Sequence, residues 1–554
     1  MTGSVPSTYS REQLLAKARE SFQNQAWAPA FAGLAAADQE APLEAADLVL
    51  LAQAALLIGK EVVGTDILAR AHQAFLSCGQ TQPAARCAFW LGFTLMIRGE
   101  AAKAGGWLAR ASRLLEGCPE CAENGYLCIA EAYRLFHSKD AAAAHAMFAQ
   151  ACGFGERFAD KDLHTLALQG QGRALIRQGE IARGVALLDE AMVAVTTGEL
   201  SPLNAGGVYC SVLDACSEIF DLRRAHEWTQ ALERWCDAQP DMAMYRGHCM
   251  VRRAEISQMR GAWAEALQAA QRASEWLSGE APRPGAGSAY YQVGEILRLR
   301  GKFAEAEVAY AEACRLYLCP GPGLALLRLA QGRVKAAQTL IRRLMEEVHE
   351  VAPRIKVLAA QVEIALTAQD LDTAGDAAGE LESIAVRWNI PFLHAVSAGA
   401  RGAVLLAAER AADASTELRR SWNLWRELPG PYEAARVQVL VAAACRQLGD
   451  EEQAQLELDA ACEAFRRLGA HADLACAETL RAGKNVAPTG PLTERELQVL
   501  KLVAVGMTNR AIATQLKISQ KTVARHLSNI FTKLDLPTRT AAAAYAFEHS
   551  LVRQ

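Results

Sequence analysis

The 554-residue chain has no apolar run long enough to cross a bilayer. Its longest, Leu48 to Gly59, is interrupted by Gln53 and falls well short of the ~20 residues a spanning helix needs. Met1 to Leu14 is polar and lacks the basic stretch and apolar core of an export signal, so an unexported, cytoplasmic protein without membrane contact is expected. No segment before Ala482 shows the alternation of a half-buried strand, which argues against sheet-based folds and predicts an all-α chain. A G-x-x-x-x-G-K-[ST] phosphate loop is missing too, because Gly59-Lys60, Gly301-Lys302 and Gly483-Lys484 all lack its context. With no other catalytic constellation in view, neither an enzyme nor a bound cofactor is expected.

The fifteen cysteines follow no disulfide framework; their number is odd and most stand among alanines and leucines, where a reduced thiol serves as a small buried hydrophobe. The sharpest candidate for other chemistry is Cys118-Pro119-Glu120-Cys121, with Cys128 and His137 downstream. A single C-x-x-C without a second pair is a poor metal signature. The stretch through Gly125, Tyr126 and Leu127 reads as a loop entering another helix pair, so no metal or redox role is assigned to Cys118 and Cys121.

The net charge of -4 conceals two unlike parts. Pro488 to Gln554 holds nine Lys/Arg against four Asp/Glu, a net of +5, which leaves -9 for the rest. A small basic unit attracts phosphate, whereas an acidic remainder suits a different partner. The polar stretch Ala482 to Gly490 contains Gly483, Pro488 and Gly490 and reads as the linker between residues 1–481 and residues 491–554.

Residues 1–481 carry an internal repeat in which small and apolar residues flank a turn at fixed spacing. Four copies stand out: Gly92, Gly99, Ala104, Leu108, Ala111; Gly172, Gly179, Gly184, Leu188, Ala191; Ala254, Gly261, Ala266, Ala270, Ala273; and Gly294, Gly301, Ala306, Tyr310, Ala313. This resembles the tetratricopeptide repeat. Small residues let two helices approach closely and the turn residue separates them. Turns are expected near Gln25, Gly59, Gly99, Lys139, Gly179, Phe220, Gly261, Gly301, Gly332, Gln369, Glu409 and Gly449, mostly about 40 residues apart rather than the ~34 of the standard repeat. The resemblance implies about twelve hairpins in a right-handed helical solenoid, with a groove for a protein, a peptide or another copy of the chain.

The basic segment has a different grammar. Thr493 and Glu496 have the spacing of a capping box, and Leu497, Leu500 and Val503 or Ala504 are expected to form the inner face of the helix that follows. Gly506 should close that helix. Thr508 should cap a second helix, with Ile512, Ala513 and Leu516 inward before a turn at Lys517 and Ile518, and Ser519 should start a third. There Val523, Leu527 and Ile530 recur at i, i+4, i+7, which leaves Lys521, Ala524, Arg525 and Ser528 on an outward face. Thr538 can cap a fourth helix reaching Glu548.

Thr508 to Leu534 is similar to the LuxR-type (GerE-like) helix-turn-helix through Thr-Asn-Arg-Ala-Ile-Ala, Leu-Lys-Ile-Ser and Lys-Thr-Val-Ala-Arg-His-Leu-Ser-Asn-Ile-Phe-Thr-Lys-Leu. The stretch from Phe465 through Gly469 to Leu480 resembles the last helix pair before this domain in large LuxR-type regulators. The resemblance implies a small four-helix domain and a bacterial transcription regulator that binds promoter DNA as a homodimer, in the cytoplasm and associated with the nucleoid. It places Arg525, with Ala524 and Ser528, at base edges in a major groove. Thr508, Asn509, Arg510, Ser519, Lys521, Thr522, His526 and Lys533 fall to phosphate contacts. Ala524 departs from the family, where lysine is common, and offers a methyl group to thymine instead. Large ATP-dependent LuxR regulators carry a nucleotide-binding domain before their repeats, and this chain resembles them without it. The alternative is an interaction scaffold that the C-terminal domain tethers to DNA without sequence preference.

Overall fold

The computed structural model describes residues 10–239, 241–278, 285–316, 321–482, 492, 494–516, 518–534 and 536–548. Among them it has 29 α-helices and no strand, and no helix is long and apolar enough to cross a membrane. The chain divides into two compact units, residues 1–474 and residues 475–554. Residues 483–490, most of the expected linker, lie outside the described residues.

The first unit is a stack of twelve antiparallel helical hairpins, from Arg11–Gln23 paired with Trp27–Glu40 to Pro431–Gln447 paired with Glu451–Leu468; the helix His471–Arg481 begins at its end. We number the hairpins 1 to 12. Every expected turn residue separates the two helices of one hairpin and has a left-handed backbone: Gly at positions 59, 99, 179, 261, 301, 332 and 449, but Gln25, Lys139, Phe220, Gln369 and Glu409 elsewhere. The closure is the same throughout. In hairpin 2 the Gly59 N–H donates to the Leu56 carbonyl at 2.9 Å and the Lys60 N–H to the Ala55 carbonyl at 2.8 Å, a Schellman arrangement that satisfies carbonyls the helix end would leave unpaired.

Close approach inside a hairpin follows from the small residues. A Cβ on Gly172 would lie 2.8 Å from the Gly184 carbonyl oxygen, and one on Gly184 would lie 2.6 Å from that of Gly172. The two helices of hairpin 5, Lys161–Gln178 and Ile181–Thr196, therefore meet backbone to backbone where only glycine fits. Gly125 has a similar role, since its Cβ would fall 2.6 Å from Leu163 Cδ2 and from Phe154 Cβ. This corrects the expected loop: Gly125, Tyr126 and Leu127 lie in the first turns of the helix Ala122–His137, and the glycine serves packing.

The stack also touches itself between hairpins that lie five apart in the chain. In hairpin 2 the Leu57 carbonyl accepts from the N–H groups of Ala243 (2.8 Å) and Met244 (3.2 Å), just ahead of Arg246–Met259 in hairpin 7. Phe220 at the turn of hairpin 6 stacks on Phe392 at the start of hairpin 11, centroids 4.5 Å apart and planes within 6°. Trp263, beside the turn of hairpin 7, meets Tyr432 at the start of hairpin 12 edge to face at 5.3 Å.

Candidate nucleic-acid interface

The second unit contains four helices that pack as one small domain: α1 (Glu494–Ala504), α2 (Asn509–Leu516), α3 (Gln520–Leu534) and α4 (Arg539–Glu548). Its core joins Val499, Leu500, Val503, Ile512, Ala513, Val523, Leu527, Ile530, Ala542 and Ala546. The inner face of α1 is turned relative to expectation: Val499 is fully buried and Glu496 is 3% exposed, whereas Leu497 is half-buried. Thr493, the expected cap of α1, lies outside the described residues, as does Lys517. Gly506, at φ 80°, closes α1.

The remaining caps are hydroxyls. Thr508 Oγ1 accepts from the Ala511 N–H at 3.3 Å, Ser519 Oγ from the Thr522 N–H at 3.0 Å, and Thr538 Oγ1 from the Ala541 N–H at 3.1 Å. Each frees its helix to start within a short turn, so α2 and α3 follow one another after three residues. With Val523, Leu527 and Ile530 inward, Lys521, Ala524, Arg525 and Ser528 are exposed together on the other side of α3, while Thr522 and His526 are half-buried at its flank. Among the described residues neither Lys521 nor Arg525 takes part in an ion pair. Arg510 is exposed at the start of α2.

Two residues expected at phosphates have partners inside the domain. Lys533 Nζ donates to the buried Glu496 carboxylate at 2.7 Å. Asn509 Oδ1 accepts from Arg539 Nη1 at 2.7 Å, and Arg539 Nη2 also donates to the Met507 carbonyl. Arg495 adds a third tie, from Nη2 to the Leu516 carbonyl at 2.6 Å. Sequence reasoning missed Arg495, Arg539 and Glu496 as the polar braces of the domain. The signal for Glu496 was its place one turn before Leu500 on the inner face of α1.

The first unit carries a second candidate site, a polar seam along the first helices of successive hairpins. Gln169 Nε2 donates to the Tyr133 hydroxyl at 2.6 Å and Ser211 Oγ to Gln169 Oε1 at 2.5 Å. Arg173 pairs with Glu218 and Arg252 with Asp214, each at 2.6 Å. Farther along, Arg298 pairs with Glu295 at 2.8 Å and Arg436 with Glu363 at 2.6 Å. Burial works against the Glu295 carboxylate, yet the Arg298 guanidinium holds it below the usual carboxylate range. The Nε atoms of Arg173, Arg252 and Arg298 are buried without a hydrogen-bond partner.

Cys118 and Cys121 lie just ahead of the helix Ala122–His137. Cys121 is the N-cap residue of Ala122–His137, its N–H donating to Asn124 Oδ1 at 3.0 Å, and Cys118 Sγ points to the Leu114 carbonyl at 3.5 Å.

Comparison with known proteins bears on the C-terminal domain. Residues 490–546 match the family model described as "Bacterial regulatory proteins, luxR family". The transcriptional regulatory protein LiaR of Bacillus subtilis (strain 168) is 48% identical over 71 residues, 13% of this chain and 34% of LiaR. The response regulator protein VraR of Staphylococcus aureus (strain Mu3 / ATCC 700698) is 48% identical over 62 residues, 11% of this chain and 30% of VraR. The chain thus spans about a third of the length of the curated relatives it matches. A solved structure of NprR in complex with its cognate peptide NprX aligns with 62% of this chain and 99% of its own, at 14% identity and a TM-score of 0.42; so loose a likeness assigns no role to the repeat array.

Proposed function

We propose that this chain, whose C-terminal domain belongs to the luxR family of bacterial regulatory proteins, is a sequence-specific DNA-binding transcription regulator whose repeat array receives a partner or ligand. The observation that carries the reading is the exposed face of α3, where Lys521 and Arg525 stand without ion-pair partners on a helix anchored by Val523, Leu527 and Ile530. In this reading α3 enters the major groove. Arg525 grips guanine O6 and N7, worth ~1–3 kcal/mol of discrimination; Ser528 assists from the next turn and the Ala524 methyl meets thymine.

Lys521, Thr522, His526 and Arg510 hold phosphates around that helix. Thr508 joins them, because a hydroxyl that accepts from a helix N–H still has its proton to donate; Ser519 shares a 2.7 Å hydroxyl–hydroxyl bond with Thr522, which leaves one proton of that pair for a phosphate, and the helix N-termini that Thr508 and Ser519 cap favour anions. Asn509 and Lys533 are set aside from direct phosphate contact, since Arg539 and Glu496 engage them. Pairing of two copies through α4 would match two half-sites. The seam from Tyr133 to Arg436 is the surface we assign to that partner, because side chains along it such as Asp214 and Arg436 stay 35% and 38% exposed and can hydrogen-bond to a polar ligand.

The test is selection of genomic DNA fragments by the full chain, wild type against Arg525→Ala, at moderate salt. A shared motif that disappears in the variant supports the regulator. Equal, motif-free binding by both proteins overturns it in favour of a scaffold tethered to DNA by charge alone.

A further inference from the structure

The connection between hairpins 4 and 5 gathers three metal-binding side chains that the DNA-binding reading leaves unused. The second helix of hairpin 4, Ala141–Arg157, and the first of hairpin 5, Lys161–Gln178, run antiparallel across a short turn. Cys152 and Glu156 share one face of the former, a turn apart, and His164 faces them from the latter. Cys152 Sγ lies 3.3 Å from His164 Nδ1, and Glu156 Oε1 lies 3.9 Å from the same nitrogen. One donor atom from each residue falls within 4.8 Å of the other two.

Two features separate this cluster from a chance meeting. A Cβ on Gly155 would stand 2.6 Å from the backbone nitrogen of His164 and 2.7 Å from its Cα. The helices therefore close to a distance that glycine alone allows, at the point that brings His164 to Cys152. The second feature is that thiol and carboxylate converge on one ring nitrogen. In a nucleophilic relay the carboxylate orients the opposite ring nitrogen from the one that meets the nucleophile. Convergence on a single nitrogen instead marks a common point in space, which is what a bound cation occupies.

We propose that Cys152, Glu156 and His164 bind a divalent cation of the zinc class, through Sγ, a carboxylate oxygen and Nδ1, with a fourth position left open. Bond lengths of ~2.3 Å to sulfur and ~2.0–2.1 Å to nitrogen at a tetrahedral angle put the two donors about 3.5 Å apart, close to the separation found. One thiolate, one imidazole and one carboxylate form a borderline-soft set that suits zinc over magnesium or calcium. Glu156, with 68% of its side chain exposed, is the open edge through which the ion enters. Burial, helped by Glu156 and Glu190, raises the Cys152 thiol above its usual range, against Gln171; coordination releases that proton to water as the metal–thiolate bond forms, with no change in oxidation state. An occupied site pins hairpin 4 to hairpin 5. The site stands independently of any DNA-binding role.

Cobalt(II) chloride added to the full-length protein tests this. The expected result is one equivalent bound per chain, with a thiolate-to-cobalt charge-transfer band that zinc(II) abolishes by displacement. Cys152→Ser should remove the band, and Glu156→Gln should keep it while weakening binding about tenfold or more. A band that survives Cys152→Ser, or bound cobalt without any band, overturns the proposal. X-ray absorption on the zinc-loaded wild type needs no variant: one sulfur per zinc supports the site, and none or two overturns it.

Discussion

Lys533 on α3 reaches across to α1 and donates to Glu496 at 2.7 Å, and the carboxylate it meets is 3% exposed. The pair couples the helix proposed to read DNA to the helix beneath it. Because its ammonium is engaged inside the domain, Lys533 should contribute little to the salt dependence of DNA binding, unlike Lys521.

Lys533→Met would leave a buried carboxylate without its cation. Loss of about 2 kcal/mol of local stability is expected, read as faster amide hydrogen exchange across residues 494–534 of the full chain. Lys521→Met should leave that exchange unchanged and lower the slope of log affinity against log salt by about 0.9, the share of one phosphate contact. Similar slope losses in both variants would return Lys533 to the DNA surface.

His72 is completely buried. Its Nδ1–H donates to the Ala84 carbonyl at 2.8 Å, its ring meets Trp107 edge to face, and Nε2 has no partner. Burial, aided by Arg110 and opposed by the Ala84 bond, holds its pKa below the ordinary histidine value. Both folded and unfolded chains leave this ring neutral above pH ~6.5, so stability there is untouched by it. As pH falls through that value the unfolded chain takes a proton the folded one resists, and stability drops. Thermal midpoints of wild type and His72→Phe between pH 7.5 and 5 should therefore converge as the solution is acidified, whatever constant cost the substitution brings at neutral pH. Parallel curves would show that His72 does not titrate on unfolding.

Phe220 occupies a left-handed turn at φ 55°, a conformation that costs a residue with a Cβ ~1 kcal/mol or more, and it is retained there by its stack on Phe392. Phe220→Ala keeps the strain and loses the ring, at a cost of about 3 kcal/mol. Phe220→Gly loses the same ring but relieves the backbone. The glycine variant should thus melt higher than the alanine variant, reversing their usual order inside folded proteins, and the opposite ranking in a thermal melt would refute the account.

The turns were legible in the sequence because a left-handed residue between two helices has few alternatives, and small residues recur at fixed distance on either side of it. The outward face of α3 was legible for a similar reason: Val523, Leu527 and Ile530 leave one register for the helix. What the sequence hid depends on the third dimension. Leu497 and Val499 both fit an apolar stripe, and the packing of α3 and α4 against α1 decides between them. Lys533 and Arg525 look alike in one dimension, yet only one meets a buried carboxylate. Cys152 and His164 are separated by a turn, and their meeting depends on how closely two helices pack at Gly155. The isolated C-x-x-C at Cys118 is the more visible pattern, and in the fold its Cys121 stands at a helix N-cap.

The contacts between Leu57 and residues 243–244, Phe220 and Phe392, and Trp263 and Tyr432 give the array a property that a simple row of repeats lacks. In a row, each unit knows only its neighbours, and a disturbance fades as it is handed along. Here the chain is laced like a coil whose loops are stitched to one another, so loosening hairpin 7 is felt at once in hairpins 2 and 12. A ligand that tightens one loop would need no relay through the intervening helices to be registered on the next.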